Sequence, residues 1–230
     1  MDIRRGRVVR LRQGRSEDET AYTDDPVAAA TTFLEAGAER IHVVDLDAAF
    51  GSGDNGEVIR GVLAAAGGKA QVGGGIRGLD QAGELLASGA DRIVIGTQAV
   101  RTPGFLKGAV DRFGDAVIVA LDVRGDRVRV RGWTDEAGTL DETLPRVLDA
   151  GAPRLLVTQV SRDGTLEGPD LELYEGLVGK AGVPVIASGG VTEADDLRAL
   201  ASTGVEAAIV GRALYEERLT LAEALEAAKS

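Results

Sequence analysis

QVGGGIR (71–77) carries an apolar strand pattern straight into three successive glycines and an arginine, and VIASGG (185–190) does much the same later in the chain. Glycine loses the most backbone freedom on folding and packs no side chain, so it weakens a strand. A run of it at a strand end therefore has a use: a sharp turn at positive φ, or close approach of backbone N–H groups to an anion. The surroundings decide between the two. QVGGGIRGLDQAGELLASGADRIVIGTQAV (71–100) resembles VIASGGVTEADDLRALASTGVEAAIVGRAL (185–214). Gly75 and Gly96 are 21 residues apart, as are Gly190 and Gly211, and the copies are offset by 115 residues, half of the chain's 230.

The pattern extends outward from this repeat. Short apolar runs occupy 40–46, 69–75, 91–97, 116–123, 153–160, 183–190 and 206–213. Their near-continuous β-branched character marks strands buried on both faces, as in a parallel sheet. Between them lie amphipathic segments such as DPVAAATTFLEAGA, NGEVIRGVLAAAG and EADDLRALASTG, several ending in glycine, the expected helix stop. Seven strands alternating with eight helices predict an α/β fold, a (β/α)8 TIM barrel with an internal two-fold half-barrel repeat. The first strand falls at the N-terminus and is expected to be truncated. An open doubly wound sheet fits less well, because no G-x-G-x-x-G follows the first strand. With no Pro- or Ser-rich linker, residues 1–230 are expected to form a single (β/α)8-barrel domain.

All four glycine segments fall at strand C-termini, the face on which barrels bind ligands. One such turn has an ordinary structural explanation. A matched pair on opposite sides of the mouth points instead to two anion cradles, hence to a small molecule with a phosphate at each end.

Composition narrows the chemistry. With no Cys there is neither a disulfide nor a thiolate, and a single His excludes a His-rich metal site, so acid–base work falls to carboxylates. His42, inside a strand run, is expected to be structural. A net charge of −11 argues against nucleic acid as a partner. No apolar run is long enough to span a membrane and no signal peptide opens the chain, so a cytoplasmic protein without a membrane partner is expected. Polar strand-end candidates are Asp2, Asp45, Asp47, Asp122, Thr158, Gln159 and Asp163. Two carboxylates facing one another across a mouth can act as base and acid if their surroundings separate their pKa values. In VRGDRVRVRGW (123–133), Arg127, Arg129 and Arg131 alternate with valines around a Gly-Asp turn, predicting a two-stranded excursion. It would carry Arg131 over the mouth to meet an anion and Trp133, the only tryptophan, to stack on a planar ring.

Together DIRRGRVVRLRQG, HVVDLDAAFGSGDN, QVGGGIR, IVIGTQA, ALDVRG, VRGW, VTQVSRDGTLEGPDLELY, VIASGGV and AAIVGRALY resemble the phosphoribosyl isomerase A family, the ProFAR isomerases of histidine biosynthesis. The likeness covers nearly the whole chain. It implies an Amadori rearrangement of an aminoaldose to an aminoketose without metal or cofactor, by a monomer acting on a phosphoribosyl substrate. It places the base on Asp2 and the acid on Asp163, with Asp122 and Thr158 in support and Asp45 among the substrate-binding positions. Gly74, Gly75, Arg77, Gly96 and Thr97 match one phosphate site; Gly189, Gly190, Gly211 and Arg212 match the other. A bifunctional branch also isomerises phosphoribosylanthranilate of tryptophan biosynthesis, and Arg10 and Arg131 match its anthranilate-carboxylate arginines. Gly73 instead follows the histidine-only enzymes, where the bifunctional form usually has serine. Gln159 stands where the family usually has Asp, removing a charge beside Thr158. The shortened first strand would leave Asp2 at a frayed terminus; an enzyme is expected, with an impaired sugar-phosphate-binding barrel as the alternative should the stub disable Asp2. The cyclase-like alternative, a subunit that needs an amidotransferase, fits less well.

Overall fold

The computed structural model describes residues 1–12 and 15–229. Gln13 and Gly14 of the opening motif and Ser230 of the last helix pattern lie outside the described residues. The chain starts with β1 (Asp2–Arg4), turns back through β2 (Arg7–Arg12) and β3 (Arg15–Thr23), then forms α1 (Pro26–Glu35) and β4 (Ile41–Asp45). Next come α2 (Leu46–Phe50), α3 (Gly56–Ala66), β5 (Ala70–Gly73), α4 (Leu79–Ala87), β6 (Arg92–Ile95), α5 (Thr97–Arg101) and α6 (Pro103–Phe113). The second half holds β7 (Val117–Arg124), β8 (Arg127–Val130), β9 (Asp135–Thr139), α7 (Leu140–Asp149), β10 (Leu155–Gln159) and α8 (Leu171–Ala181). It closes with β11 (Val185–Ser188), α9 (Ala194–Ser202), β12 (Ala207–Ile209), α10 (Arg212–Tyr215) and α11 (Leu221–Ala227).

Eight of these strands form the TIM barrel. Parallel ladders join β1, β4, β5, β6, β7, β10, β11 and β12 in that order. Successive strand residues point to opposite sides, so each strand has an inner and an outer set. The inner set includes Val94, Ile118, Leu156 and Ile186, which pack together inside the ring. The outer sets of β6, β7, β10 and β11, for instance Ile93, Val119, Leu155 and Val185, pack under the helices with Leu106, Leu144 and Leu177. Each fully buried aliphatic side chain contributes about 1.5–3 kcal/mol, so this layer, poor in aromatics, is built by number rather than size. Local chemistry starts the helices where the sequence marks them. Asp25 accepts from the Ala28 amide, Asp170 from the Leu173 amide, and Thr139 with Glu142 closes a capping box on α7.

The N-terminal region departs from expectation in two respects. β1 is the predicted stub, three residues long, yet Asp2 does not fray. It pairs with Val44 in β4 on one side and Val9 in β2 on the other, and the terminal ammonium donates to the His42 carbonyl at 2.5 Å. The antiparallel β2–β3 hairpin, absent from the sequence reading, supplies that second partner. Among the described residues no ladder joins β12 to β1. There Tyr215 of α10 stacks on Tyr22 of β3, ring centroids 4.4 Å apart, with Phe33 of α1 edge-on to Tyr215. Side chains bridge this seam where strand pairing does not. The excursion after β7 also differs from expectation: β8 pairs with β7, and a third strand, β9, pairs with β8.

Candidate active site

A cavity of about 660 Å³ opens at the strand C-termini, and both glycine pairs reach it. Their backbones match: φ is +96° at Gly74 and Gly189, +70° at Gly75 and +94° at Gly190. A Cβ at Gly74 would lie 2.3 Å from the Asp45 carbonyl oxygen, and one at Gly190 2.4 Å from that of Gly168. Conformation and space both demand glycine here, and each turn lies flat against the preceding βα loop. The second glycine of each copy matches as well: Gly96 (φ −96°, ψ −97°) precedes α5 and Gly211 (φ −116°, ψ −93°) precedes α10. Thr97 and Arg212 follow them in the cavity wall. The two arginines tie loops down. Arg77 donates to the Ala48 carbonyl at 3.0 Å and Arg212 to the Gly164 carbonyl at 2.5 Å.

Alternation along each strand selects which polar side chains face the cavity. Asp2, Asp122 and Thr158 are inward positions and line it. Asp163 reaches it from the loop after β10, where its amide donates to the Gln159 carbonyl at 3.0 Å. Asp163 forms an ion pair with Arg10 of β2 at 2.8 Å, both side chains more than four-fifths buried. Burial pushes the Asp163 carboxyl above the usual carboxylate range; Arg10 pulls it down and Asp2 pushes it up further. Burial likewise raises Asp122, against the hydrogen-bond donors that Trp133 and Thr158 offer it. Burial works against the charge of Arg10, but Asp163 and Asp2 outweigh it and hold its pKa above the ordinary value. The Arg10 Nε is buried with no partner, and its guanidinium stands within about one van der Waals contact of where Cβ atoms would sit on Gly164 and Gly211. Arg131 and Trp133 line the opposite rim on the β8–β9 connection.

Asp45 is a correction. His42 and Val44 occupy the inward positions of β4, which turns Asp45 outward, away from the cavity. Its carboxylate caps α2 through the Ala48 amide and takes both the amide and side chain of Asn55, at 2.7–3.0 Å. Asp47 is likewise spent on Asn55, Ser52 and the Arg5 amide. Gln159 also faces outward, donating to Asp170 at 2.9 Å and accepting from Ser161 at 3.0 Å. A charge there would confront Asp170, the cap of α8, rather than Thr158. His42 contacts Gln71 at 3.0 Å, and burial lowers its pKa to about 3, so the ring is neutral. Phe50, Tyr22 and Tyr215 also line the cavity. Sequence reading singled out none of them. Phe50 and Tyr215 lie inside quoted motifs but at helix positions with no strand-end signal, and Tyr22 lies in the hairpin that was not foreseen.

Among the described residues, no cluster of three or more His, Cys, Asp or Glu side chains is placed to hold a metal ion, and no helix is long and apolar enough to cross a membrane. The sequence is similar to phosphoribosyl isomerase A of Streptomyces coelicolor, 47% identical over 230 residues that cover 99% of this chain and 95% of that protein. A Paenarthrobacter aurescens relative, 46% identical over 99% of this chain and 93% of its own length, is named an imidazole-4-carboxamide isomerase whose compound name carries two 5-phosphoribosyl groups. A Bifidobacterium adolescentis protein with the same name is 44% identical over the whole chain and 97% of its own length. The family described as "Histidine biosynthesis protein" matches residues 1–220. With relatives this close over nearly its full length, a barrel built on two matched glycine cradles belongs to that histidine-biosynthesis family.

Proposed function

We propose that the chain is an aldose–ketose isomerase carrying out the Amadori rearrangement of the bis-phosphorylated ProFAR intermediate of histidine biosynthesis. One observation carries the reading: two geometrically equivalent glycine turns bound a single cavity whose inward carboxylates include Asp2 and Asp163. In this reading Gly74, Gly75, Arg77, Gly96 and Thr97 hold one phosphate, and Gly189, Gly190, Gly211 and Arg212 the other. Asp163 gives a proton to the ring oxygen of the aminoaldose as the ring opens to a C1 iminium. Asp2 takes the proton from C2 to give the C1–C2 enaminol and returns it to C1, while the C2 hydroxyl gives its proton to the Asp163 carboxylate, leaving the C2 ketone. The opposing influences on Asp163 suit this role: burial favours the protonated carboxyl, and Arg10 stabilises the carboxylate left after proton transfer. Asp122 and Thr158 support the reacting carbons, and Trp133 offers a face to the imidazole.

Phosphoribosylanthranilate of tryptophan biosynthesis is proposed as a second substrate, its carboxylate met by Arg10 and Arg131. One observation favours a histidine-only enzyme instead. A Cβ at Gly73 would lie 3.0 Å from the Val94 Cβ, so the serine of the bifunctional pattern would crowd the inner layer. Purified protein assayed with each substrate separately decides the matter. Turnover of both supports dual activity, turnover of ProFAR alone supports the narrower enzyme, and turnover of neither overturns the isomerase reading.

A further inference from the structure

The turn joining β8 to β9 is held in an unusual backbone state. Arg131, Gly132 and Trp133 are left-handed in succession, with φ of +56°, +63° and +69°. For a residue with a Cβ this costs on the order of 1–3 kcal/mol, and it persists only where the surroundings over-determine it. Anchors from three other places do so. The Arg131 amide donates to the Thr97 hydroxyl at 3.0 Å. Gly132 lies against Phe50 of α2, so closely that a Cβ would fall 2.7 Å from the ring. Arg129 donates twice to the Trp133 carbonyl, at 2.9 and 3.3 Å.

All three anchors line the cavity, but among them only Thr97 directly follows a cradle glycine, Gly96. A threonine hydroxyl accepts at its oxygen and donates its one hydrogen. Here the oxygen takes the Arg131 amide, and among the described residues the hydrogen is given to no protein acceptor. An anion seated at Gly96–Thr97 would receive it, and a hydroxyl that donates to an anion becomes a better acceptor. We propose that Thr97 is a positioning residue that couples phosphate in the first cradle to the placement of Arg131 and Trp133. The inference rests on reading that cradle as a phosphate site. The groups that meet the rest of the substrate are then set most firmly once its phosphate is seated.

Trp133 is the only tryptophan, so its fluorescence reports this turn alone. Wild type, Thr97→Ser and Thr97→Val are titrated with inorganic phosphate while bound phosphate is followed by phosphorus NMR. Phosphate should move the emission of wild type and of Thr97→Ser, which keeps the hydroxyl. Thr97→Val should still bind phosphate at the other cradle with its emission unmoved, and KM for the bis-phosphate substrate should rise about 5–10-fold, the worth of one hydrogen bond. A purely structural hydroxyl would change the resting spectrum of Thr97→Val but leave its phosphate response intact, which overturns the proposal. Bound phosphate with no emission change in wild type also overturns it and leaves the cradle reading standing. Wild type that binds no phosphate removes both together. If Thr97→Val does not fold, the wild-type and Thr97→Ser titrations alone still decide.

Discussion

The two half-barrels use the same glycine scaffold for different ends. In the first, the turn at Gly74 lies on Asp45, and the carboxylates of that loop, Asp45 and Asp47, are consumed by Asn55, Ser52 and backbone amides. In the second, the turn at Gly189 lies on the Gln159 carbonyl and the backbone of Asp163, whose carboxylate faces the cavity and a single guanidinium. Backbone torsions at the two turns agree closely, so duplication preserved the cradle and let the neighbouring loop diverge. One loop spends its carboxylates on internal hydrogen bonds; the other turns one towards the cavity. A protein can hold a symmetric ligand-binding frame and place its reactive groups asymmetrically within it.

The largest effect should come from neutralising the cavity-facing carboxylates. Asp163→Asn and Asp2→Asn are each expected to lower kcat by about 10²–10⁴-fold, the usual contribution of a positioned acid or base, with substrate affinity nearly unchanged. Asp45→Asn should keep kcat in the folded fraction and lower Tm instead. It weakens a helix cap and charged hydrogen bonds worth roughly 1–3 kcal/mol, at about 2–4 °C per kcal/mol for a chain of this size. Equal losses of turnover from Asp45→Asn and Asp163→Asn would erase the contrast between the halves.

Next come the cradles, where the halves should behave alike. Gly74→Ala and Gly190→Ala each force a methyl onto a carbonyl oxygen at 2.3–2.4 Å from a left-handed residue. Both should cost roughly 3 kcal/mol or more in chemical denaturation. Gly78→Ala is the control, since nothing lies within 4 Å of that Cβ and its backbone is extended. It should change stability by less than about 0.5 kcal/mol. A mild Gly190→Ala beside a severe Gly74→Ala would show that only one turn is rigid.

The barrel and the cradles were legible because both have periodic signals: β-branched runs buried on two faces, and a repeat with constant offset. The β2–β3 hairpin left no such trace. RSEDETAYT (15–23) forms β3, outside the ring of parallel strands, and without a regular apolar face it reads as a loop. Asp45 was misread for the opposite reason. It sits at a strand end like Asp122, and only its parity, one residue out of step with the inward His42 and Val44, separates a helix cap from a site residue. That signal was present in HVVDL and follows from alternation alone. The Asn55 partner, ten residues on, carried no sequence mark of its role. Asp2 looked exposed because its second ladder partner lies in the hairpin that was not foreseen.

The smallest expected effect sets one carboxylate from each half against the other through pH. Burial opposes ionisation of Asp47, but the Arg5 amide, Asn55 and Ser52 outweigh it and hold its pKa below the usual range. A depressed folded pKa contributes stability above the unfolded value of about 3.9, lost as pH falls through the folded value. Asp122 has the opposite sign. Burial raises its folded pKa, so its contribution is present below about 3.9 and is lost as pH rises through the folded value. At neutral pH the folded protein therefore bears a cost for ionising Asp122. Asp122→Asn should raise stability at pH 7 and change it by almost nothing at pH 3, while turnover falls. Asp47→Asn should lower stability at pH 7, the loss shrinking towards pH 3. Denaturation curves at the two pH values give all four numbers. A stabilising Asp47→Asn or a destabilising Asp122→Asn at pH 7 would mean that the hydrogen bonds around these two carboxylates do not separate a structural group from a cavity-facing one.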